Sequence, residues 1–321
     1  MQYDLELKDS KVVTKKSFKK KMKKWHIALY LMVLPTLAYV FIFNYLPMFG
    51  LIIAFKDYNS FSGIFNSPWT SNYGFKHFIN FVTLPNFKDL IVNTLRLSVM
   101  SILFNTILPI VLALFINEVR NKKYKKTVQT VMYAPYFIST VVVVGMLFAF
   151  CDTETGIIGN MMSFLGFQSD NLMENPSSFT GLYIVSGLWQ GLGWWSIVYI
   201  GTLSSVDPSL HEAAMLDGAG RLKRIWHVNL PAIIPMAMIM FIMSIGNILS
   251  VGFEKVYLMQ TAGNLGVSNI ISTYVYQVSF KSVVPQFSYA TAIGLFNSTV
   301  NVLLLVVANF AAKKLGETSL W

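Results

Sequence analysis

The sequence has few charged residues and almost no cysteine. Charged residues make up 12% of the 321 residues, whereas soluble domains carry about 25%. Hydrophobic residues make up 54%, and the mean hydropathy is +0.54. The single cysteine, Cys151, excludes an internal disulfide bond and so says nothing about the redox compartment. This composition indicates an integral membrane protein rather than a soluble one.

The sequence also lacks the motifs of an ATPase or of a metal enzyme. It has no G-x-x-x-x-G-K-[ST] phosphate-binding loop, so the energy for active transport must come from a partner protein. Its His, Cys, Asp and Glu residues do not show the spacing of a metal site, and none of its four histidines pairs with a plausible nucleophile in sequence. We therefore expect no catalytic residue, no metal and no cofactor in this chain.

Six apolar runs are long enough to cross a bilayer, which takes about 20 helical residues. They cover residues 27–46, 97–116, 131–150, 182–203, 232–251 and 290–312. No small-residue cleavage site follows the first run, which favours an uncleaved span over a signal peptide. The sequence predicts an all-α polytopic membrane protein with six transmembrane helices and both termini on one side.

Positive charge is distributed unevenly among the segments between these runs. Nineteen of the 25 Lys and Arg residues lie on one side, in residues 1–26, 120–126, 207–231 and the C-terminus. Five lie on the other side, in loops 47–90, 151–181 and 252–289. Because basic loops stay in the cytoplasm, we predict cytoplasmic termini. The net charge of +10 is then a topology signal that also suits anionic lipid, and a nucleic-acid partner is not expected.

The segment 207–231 is the longest polar stretch between apolar runs that also carries helix signals. Asp207 suits an N-cap and Pro208 the first helical position, where no N–H is needed. We predict a short helix to Asp217 that ends at Gly218 and Gly220, since glycine enters the left-handed conformation at little cost. From these residues alone, a docking handle for a partner and an ordinary amphipathic loop are both open.

The same segment resembles the EAA loop of binding-protein-dependent ABC importer permeases. The shared pattern is Glu212-Ala213-Ala214, three residues, Gly218, nine residues, Val228, one residue, Leu230-Pro231. The family usually has isoleucine where this chain has Val228. The resemblance implies a coupling helix that sits in a groove of an ATPase subunit, through Glu212, Ala213, Ala214, Asp217, Gly218, Leu230 and Pro231.

The resemblance continues outside this loop and covers nearly everything after Pro35. Sugar-importing permeases have similar segments at Thr155 to Ile158 with Asn160, at Leu165-Gly166-Phe167, and at Trp189 with Gly193. Permeases for complex oligosaccharides, such as aldouronate and pectin fragments, have similar segments at 269–276, 290–295 and Trp321.

This resemblance implies a fold, a set of partners and a location. The fold is the type I ABC importer permease. The partners are a homologous second permease, two ATPase subunits that carry ATP and Mg, and an extracellular solute-binding protein that delivers an oligosaccharide. The location is the bacterial cell membrane. Residues 1–26 are then a cytoplasmic basic tail, 27–313 the six-span permease domain with coupling loop 207–231, and 314–321 a cytoplasmic C-terminal tail.

Polar residues inside the last run are candidates for the substrate pathway. Gly294, Asn297, Ser298 and Asn301 are spaced i, i+3, i+4 and i+7 and so share one helical face. Polar residues are costly in a membrane, where they line aqueous paths or bind neighbouring helices. Asn297 and Asn301 are therefore predicted either to bind sugar hydroxyls or to hold helices together.

Four further residues in the runs are candidates, each with two alternatives. Gln190 and Trp194 lie four residues apart near the middle of the fourth run, where they either contact substrate or pack against a neighbouring helix. Asn247, in the fifth run, is a similar candidate. Arg96, near the outer end of the second run, either attracts an anionic solute or reaches the outer headgroups.

Other functions remain open at this stage. Within the importer class, the substrate is alternatively a peptide or a polyamine. A secondary transporter or channel would need intramembrane Asp or Glu or inverted repeats, and the sequence shows neither. A membrane sensor that binds a ligand without transporting it is a third possibility.

Overall fold

The chain folds into helices joined by short loops. The computed structural model describes residue 27 and residues 29–164, 171–314, 316 and 318–320. These residues include no strand, and one isolated β-bridge pairs Lys56 with Trp69. The predicted basic tail 1–26, the motif 165–167 and Trp321 lie outside the described residues. The prediction of an all-α protein is confirmed.

We number the helices of the described residues in chain order. The helices of the first half are α1 Leu29–Phe55, α2 Gly63–Asn66, α3 Lys76–Val82, α4 Phe87–Asn117, α5 Lys122–Tyr133, α6 Thr140–Cys151 and α7 Ile157–Phe164. The helices of the second half are α8 Pro176–Ser204, α9 Pro208–Leu216, α10 Arg221–Ile245, α11 Phe253–Met259, α12 Leu265–Ser268, α13 Ile271–Tyr276 and α14 Phe287–Lys314.

The number of helices suited to a membrane is lower than the six predicted. By length and composition, α1, α4, α10 and α14 are able to cross a bilayer, and the bent pair α5–α6 would make a fifth. Helix α8 has the length, with 29 residues, but its Trp, Gln and Gly residues make it less apolar. Among the described residues, four or at most five spans are therefore supported by this test.

The third predicted run, 131–150, is not one straight span. Helix α5 continues as a turn to Phe137, and the chain then bends by 94° before α6 begins at Thr140. Pro135 has no N–H to donate to a continuing helix, and Ile138 is extended with ψ 131°. Ser139 begins the new helix, since its Oγ accepts a hydrogen bond from Val142 N at 3.4 Å. The continuous span predicted here was wrong.

The fifth predicted run, 232–251, also has different bounds. Helix α10 already begins at Arg221, passes through a π-helical stretch at Ile225–Asn229 and ends at Ile245. Residues 246–252 are unwound, with short-range turn bonds such as Ser250 N to Asn247 O at 2.9 Å. We call residues 246–252 the α10 break. The end of the predicted coupling loop and the apolar run thus form one helix. We call residues 207–231 the coupling segment.

The first predicted run, 27–46, continues further than expected. Helix α1 extends to Phe55 through a π-helical turn at Phe41–Tyr45 and a tighter 3₁₀ stretch at Phe49–Phe55. Only 6% of its most apolar stretch is buried against the rest of the chain. Its apolar side chains are therefore left for lipid or for another subunit.

The short helices α11 to α13 form a packed layer at one end of the long helices. We call residues 253–276 the end layer. Val256, Met259 and Ile270 have no exposed surface and form a core cluster with Leu97 of α4 and Phe179 of α8. A second cluster joins Ala113 of α4, Tyr199 and Leu203 of α8 and Ile233 of α10. Helices α4 and α8 thus form the central pair, on which both the end layer and α10 pack.

Candidate coupling segment and substrate cavity

The predicted coupling helix begins at the residues that its cap signals indicate. Asp207 Oδ1 accepts a hydrogen bond from Ser209 N at 2.9 Å, and Pro208 occupies the first position of α9. These bonds from the Ser209 backbone and hydroxyl hold the pKa of Asp207 below its usual value. The carboxylate is thus favoured in its charged form, which caps the helix.

The C-terminal end of α9 depends on one glycine. Gly218 has φ +75°, and its N–H bonds to Met215 O at 3.1 Å while Ala219 N bonds to Ala214 O at 2.8 Å. This pair of bonds is the Schellman motif, which needs a left-handed residue at the position of Gly218. Gly220, also predicted to end the helix, instead has φ −66° and caps the start of α10.

The coupling segment leaves a carboxylate and several apolar side chains exposed. Glu212 is exposed, and no ion pair to it is found in the described part of the chain. Ala213 and Asp217 are also exposed, and Ala214 is partly buried. Leu216, Leu222 and Trp226 expose 89%, 82% and 67% of their surface. Such a combination of an unpaired charge and exposed apolar groups is typical of a protein interface.

The coupling segment is joined to the long helices by a buried polar contact. Asn229 has no exposed surface, and its Nδ2 donates to Glu118 Oε1 at 3.4 Å. Glu118 is the C-cap of α4. Leu230 and Pro231 follow directly as the next residues of α10. The segment is thus connected to α4 by a side-chain hydrogen bond and to α10 by continuous helix.

The predicted pathway residues Asn297 and Asn301 hold the α10 break. Asn301 Oδ1 accepts from Leu249 N at 3.0 Å and its Nδ2 donates to Ser250 Oγ at 2.9 Å. Asn297 Nδ2 donates to Leu249 O at 3.2 Å, while its Oδ1 is buried without a hydrogen-bond partner. Ser98 of α4 also donates to Ile248 O. These bonds replace those that the backbone loses where the helix unwinds.

Gln190 plays the same part at the break between α5 and α6, where its Nε2 donates to Ile138 O at 2.7 Å.

Trp194 stacks on Tyr136 with the ring centroids 4.4 Å apart and the planes at 3°, and 37% of its surface is exposed. Asn247 is exposed on the α10 break, and its side chain bonds only to Met243 O of its own helix, at 3.1 Å, among the groups described. Arg96 reaches Asn93 Oδ1 at 3.5 Å, and its Nε is buried without a hydrogen-bond partner.

A small cavity of about 140 Å³ lies between α4, α8 and α10. It is lined by Ser101, Ile102, Asn105, Thr106, Trp195, Tyr199, Met240 and Ser244. The lining combines hydroxyl and amide groups with two aromatic rings, the kinds of group that contact the hydroxyls and the C–H face of a sugar ring. The predicted set did not include these residues. The available signal was the four-residue spacing of Ser101 and Asn105, and of Trp195 and Tyr199.

Comparisons with known proteins identify the family of this chain. The family described as binding-protein-dependent transport system inner membrane component matches residues 109–316. The polygalacturonan/rhamnogalacturonan transport system permease protein YteP of Bacillus subtilis is 43% identical over 293 residues, which cover 91% of this chain and 90% of that protein. Protein LplB of the same organism is 40% identical over 94% of this chain and 92% of its own length.

A solved structure has the same fold. It is a chain in the crystal structure of a bacterial alginate ABC transporter in complex with an alginate pentasaccharide-bound periplasmic protein. The TM-score is 0.83 and the sequence identity 37%, and the match covers 92% of this chain and 98% of that chain. The family match includes the coupling segment, the α10 break and α14. This chain belongs to the inner-membrane components of binding-protein-dependent transport systems.

Proposed function

We propose that this chain is the permease subunit of an ABC importer that carries an oligosaccharide across the bacterial cell membrane. The strongest support is sequence identity to two transport proteins over more than nine-tenths of this chain. The identity is 43% to a permease named for polygalacturonan and rhamnogalacturonan, and 37% to a chain of an alginate ABC transporter. The cavity between α4, α8 and α10 has the hydroxyl, amide and aromatic groups that such a substrate needs. The chain itself provides the path and the coupling segment, and no chemical step.

The partners follow from the same proposal. A homologous second permease covers the exposed apolar helix surfaces, two ATPase subunits bind ATP and Mg, and an extracellular solute-binding protein delivers the sugar. Glu212, Ala213, Ala214, Asp217 and Gly218 contact the ATPase, with Leu230 and Pro231 at the start of the continuous helix behind them. ATP-driven movement at this contact shifts the bundle between outward and inward access, which requires different contacts in each state.

The substrate pathway is proposed to run past both helix breaks. Trp194 and Asn247 are exposed and are proposed to contact the sugar. Gln190, Asn297 and Asn301 are proposed to shape the pathway by holding the unwound segments, and the unpaired Oδ1 of Asn297 remains an acceptor for a hydroxyl. Arg96 is proposed to attract an anionic group.

The proposal is tested by uptake in a strain that lacks this chain. We expect loss of growth on, and uptake of, one class of oligosaccharide, with recovery when the gene is restored. Purified complex in proteoliposomes is expected to take up the same sugar only with ATP inside and loaded binding protein outside. Unchanged use of every oligosaccharide, with loss of peptide or polyamine uptake, would instead support the other ABC substrates. Uptake that follows an ion gradient without ATP would support a secondary transporter.

The proposed topology has six spans, including α8 and the bent pair α5–α6, with residues 1–26 and 314–321 in the cytoplasm. Native Cys151 is 1% exposed, so labelling needs introduced cysteines in a Cys151→Ala background. We expect an impermeant maleimide to modify Val283→Cys in intact cells, since Val283 is fully exposed in an outer loop. Ser17→Cys and Leu222→Cys should react only after permeabilisation. Reaction of either in sealed cells would contradict cytoplasmic placement.

A further inference from the structure

Lys255, in the third position of α11, is a cation without a carboxylate partner in the described part of the chain. The ion pairs found there join Asp57 to Lys76 and to His77, and none involves Lys255. Its Nζ donates to Tyr183 O at 3.0 Å and lies 4.9 Å from the centre of the Tyr183 ring. Burial lowers the pKa of Lys255 to about 8. A nearby anion would offset this cost, because an opposite charge favours the charged form.

The structure makes room for this ammonium group. A Cβ atom on Gly187 of α8 would lie 3.2 Å from Lys255 Nζ, and a Cβ atom on Gly252 would lie 3.2 Å from Tyr183 Oη. The two glycines thus let Lys255 and Tyr183 approach closely. Only one of the three donors of the ammonium has a partner among the described residues. By contrast, Lys56 Nζ donates to two carbonyl oxygens, of Ile64 and Phe65, and so resembles a structural lysine.

A row of α8 residues leads from Lys255 to the cavity. Residues four apart on a helix form a continuous ridge, and Tyr183, Gly187, Gly191, Trp195 and Tyr199 have this spacing. A Cβ atom on Gly191 would lie 3.1 Å from Trp195 Nε1, so the Trp195 indole packs over Gly191 as Lys255 Nζ packs over Gly187. Trp195 and Tyr199 then line the cavity. Lys255 Nζ therefore lies about one helical turn along α8 from the Trp195 ring at the cavity wall.

We infer that Lys255 binds the carboxylate of an acidic sugar residue and so selects acidic over neutral oligosaccharides. This inference rests on the proposed function. The lysine supplies charge and two hydrogen-bond donors, and the exposed part of the Trp195 ring supplies apolar surface for a sugar face. A charged hydrogen bond of this kind is stronger than a neutral one, and its loss affects acidic substrates alone.

The test compares an acidic trisaccharide of galacturonate with its methyl ester in proteoliposomes that contain the complete complex. Binding protein loaded with sugar is supplied at saturating concentration. For each substrate, the uptake rate of a variant is divided by that of wild type, so that any difference in how the binding protein delivers the two sugars cancels. We expect Lys255→Gln to lower uptake of the acid by about tenfold, equivalent to about 1.4 kcal/mol, and that of the ester by less than about twofold. Lys255→Arg should retain most of the acid uptake.

Lys281→Gln is the matched control, because Lys281 Nζ also lies 4.9 Å from a tyrosine ring, that of Tyr257, but on the exposed surface. It should leave both uptake rates near wild type. An equal loss of acid and ester uptake in Lys255→Gln would mean a purely structural role and would overturn the inference, as would no loss at all. If wild-type complex takes up neither sugar nor any other oligosaccharide, the proposed function itself fails and this inference fails with it.

Discussion

Replacement of Gly218 by valine is expected to abolish most sugar uptake while the protein still inserts in the membrane. Gly218 has φ +75°, and no atom lies within 4 Å of a Cβ atom placed there. The penalty therefore comes from backbone conformation alone, on the order of 1–3 kcal/mol, and more for a β-branched residue than for alanine. Relief of that strain would unwind the end of α9 and turn Glu212 away from its partner.

Four further variants make this test specific. Gly220→Ala is the matched control, because Gly220 has an ordinary φ of −66° and equal free space, and it should transport normally. Gly218→Asn should transport better than Gly218→Val, since asparagine tolerates the left-handed region.

Glu212→Ala should weaken ATPase assembly by about 10–100-fold, because a charge-assisted hydrogen bond contributes about 1.5–3 kcal/mol. Glu154→Ala, which removes an exposed carboxylate outside the segment, is its control.

The measurements are complex yield after affinity purification, ATP hydrolysis stimulated by loaded binding protein, and uptake in vesicles. We expect normal amounts of Gly218→Val and Glu212→Ala in the membrane, with low stimulation and uptake. Wild-type coupling in both variants would mean that residues 207–231 form only a loop. The proposed contact between this segment and the ATPase would then be wrong.

Replacement of Asn301 by leucine is expected to give a large loss of stability. It removes the acceptor for the N–H of buried Leu249 and the donor to Ser250 Oγ, which lies on an exposed residue. An unsatisfied buried polar group costs about 1–3 kcal/mol, and that cost is expected at Leu249 N. The α10 break would lose its main support, and uptake should fall with it.

The measurement is thermal unfolding of the purified complex in nanodiscs. Thr299→Val is the matched control on the same helix, because Thr299 is exposed and its hydroxyl bonds only to Leu295 O of its own helix, at 2.8 Å, among the described groups. It should unfold near the wild-type temperature. If Asn301→Leu is as stable as Thr299→Val but has a raised KM for sugar, then Asn301 contacts substrate and the packing alternative is wrong.

The sequence was informative where a structure depends on neighbouring residues. The start of α9 follows from Asp207 and Pro208, and its end from Gly218, because capping and the left-handed conformation involve only a few consecutive groups. The apolar runs indicated the long helices for a similar reason, since a helix in lipid satisfies its backbone within its own segment. These local features were enough to predict the all-α class and the two ends of α9.

Tertiary contacts stabilise both helix breaks, although Pro135 and Ser139 mark the first of them in the sequence. The α10 break lies in an apolar stretch, and its backbone is bound by Asn301, 52 residues from Leu249, and by Ser98, 150 residues from Ile248. The break at Ile138 likewise depends on Gln190, 52 residues away. A hydropathy profile averages over neighbours and contains no information on such distant partners. Asn297, Asn301 and Gln190 were candidates from the sequence, for the substrate pathway or for helix packing, but the sequence did not show which backbone groups they bind.

The same reason applies to Lys255 and to the cavity. In the sequence Lys255 is one of five basic residues in the outer loops, and nothing distinguishes it from Lys281. Only the packing of α11 on α8 places its ammonium group beside Tyr183 and Gly187. Ser101, Trp195 and Ser244 form one cavity because α4, α8 and α10 meet there. The sequence by itself determined the all-α class and the caps of α9, because these depend on neighbouring residues, while contacts between distant segments determined the end of α10, the cavity and the position of Lys255.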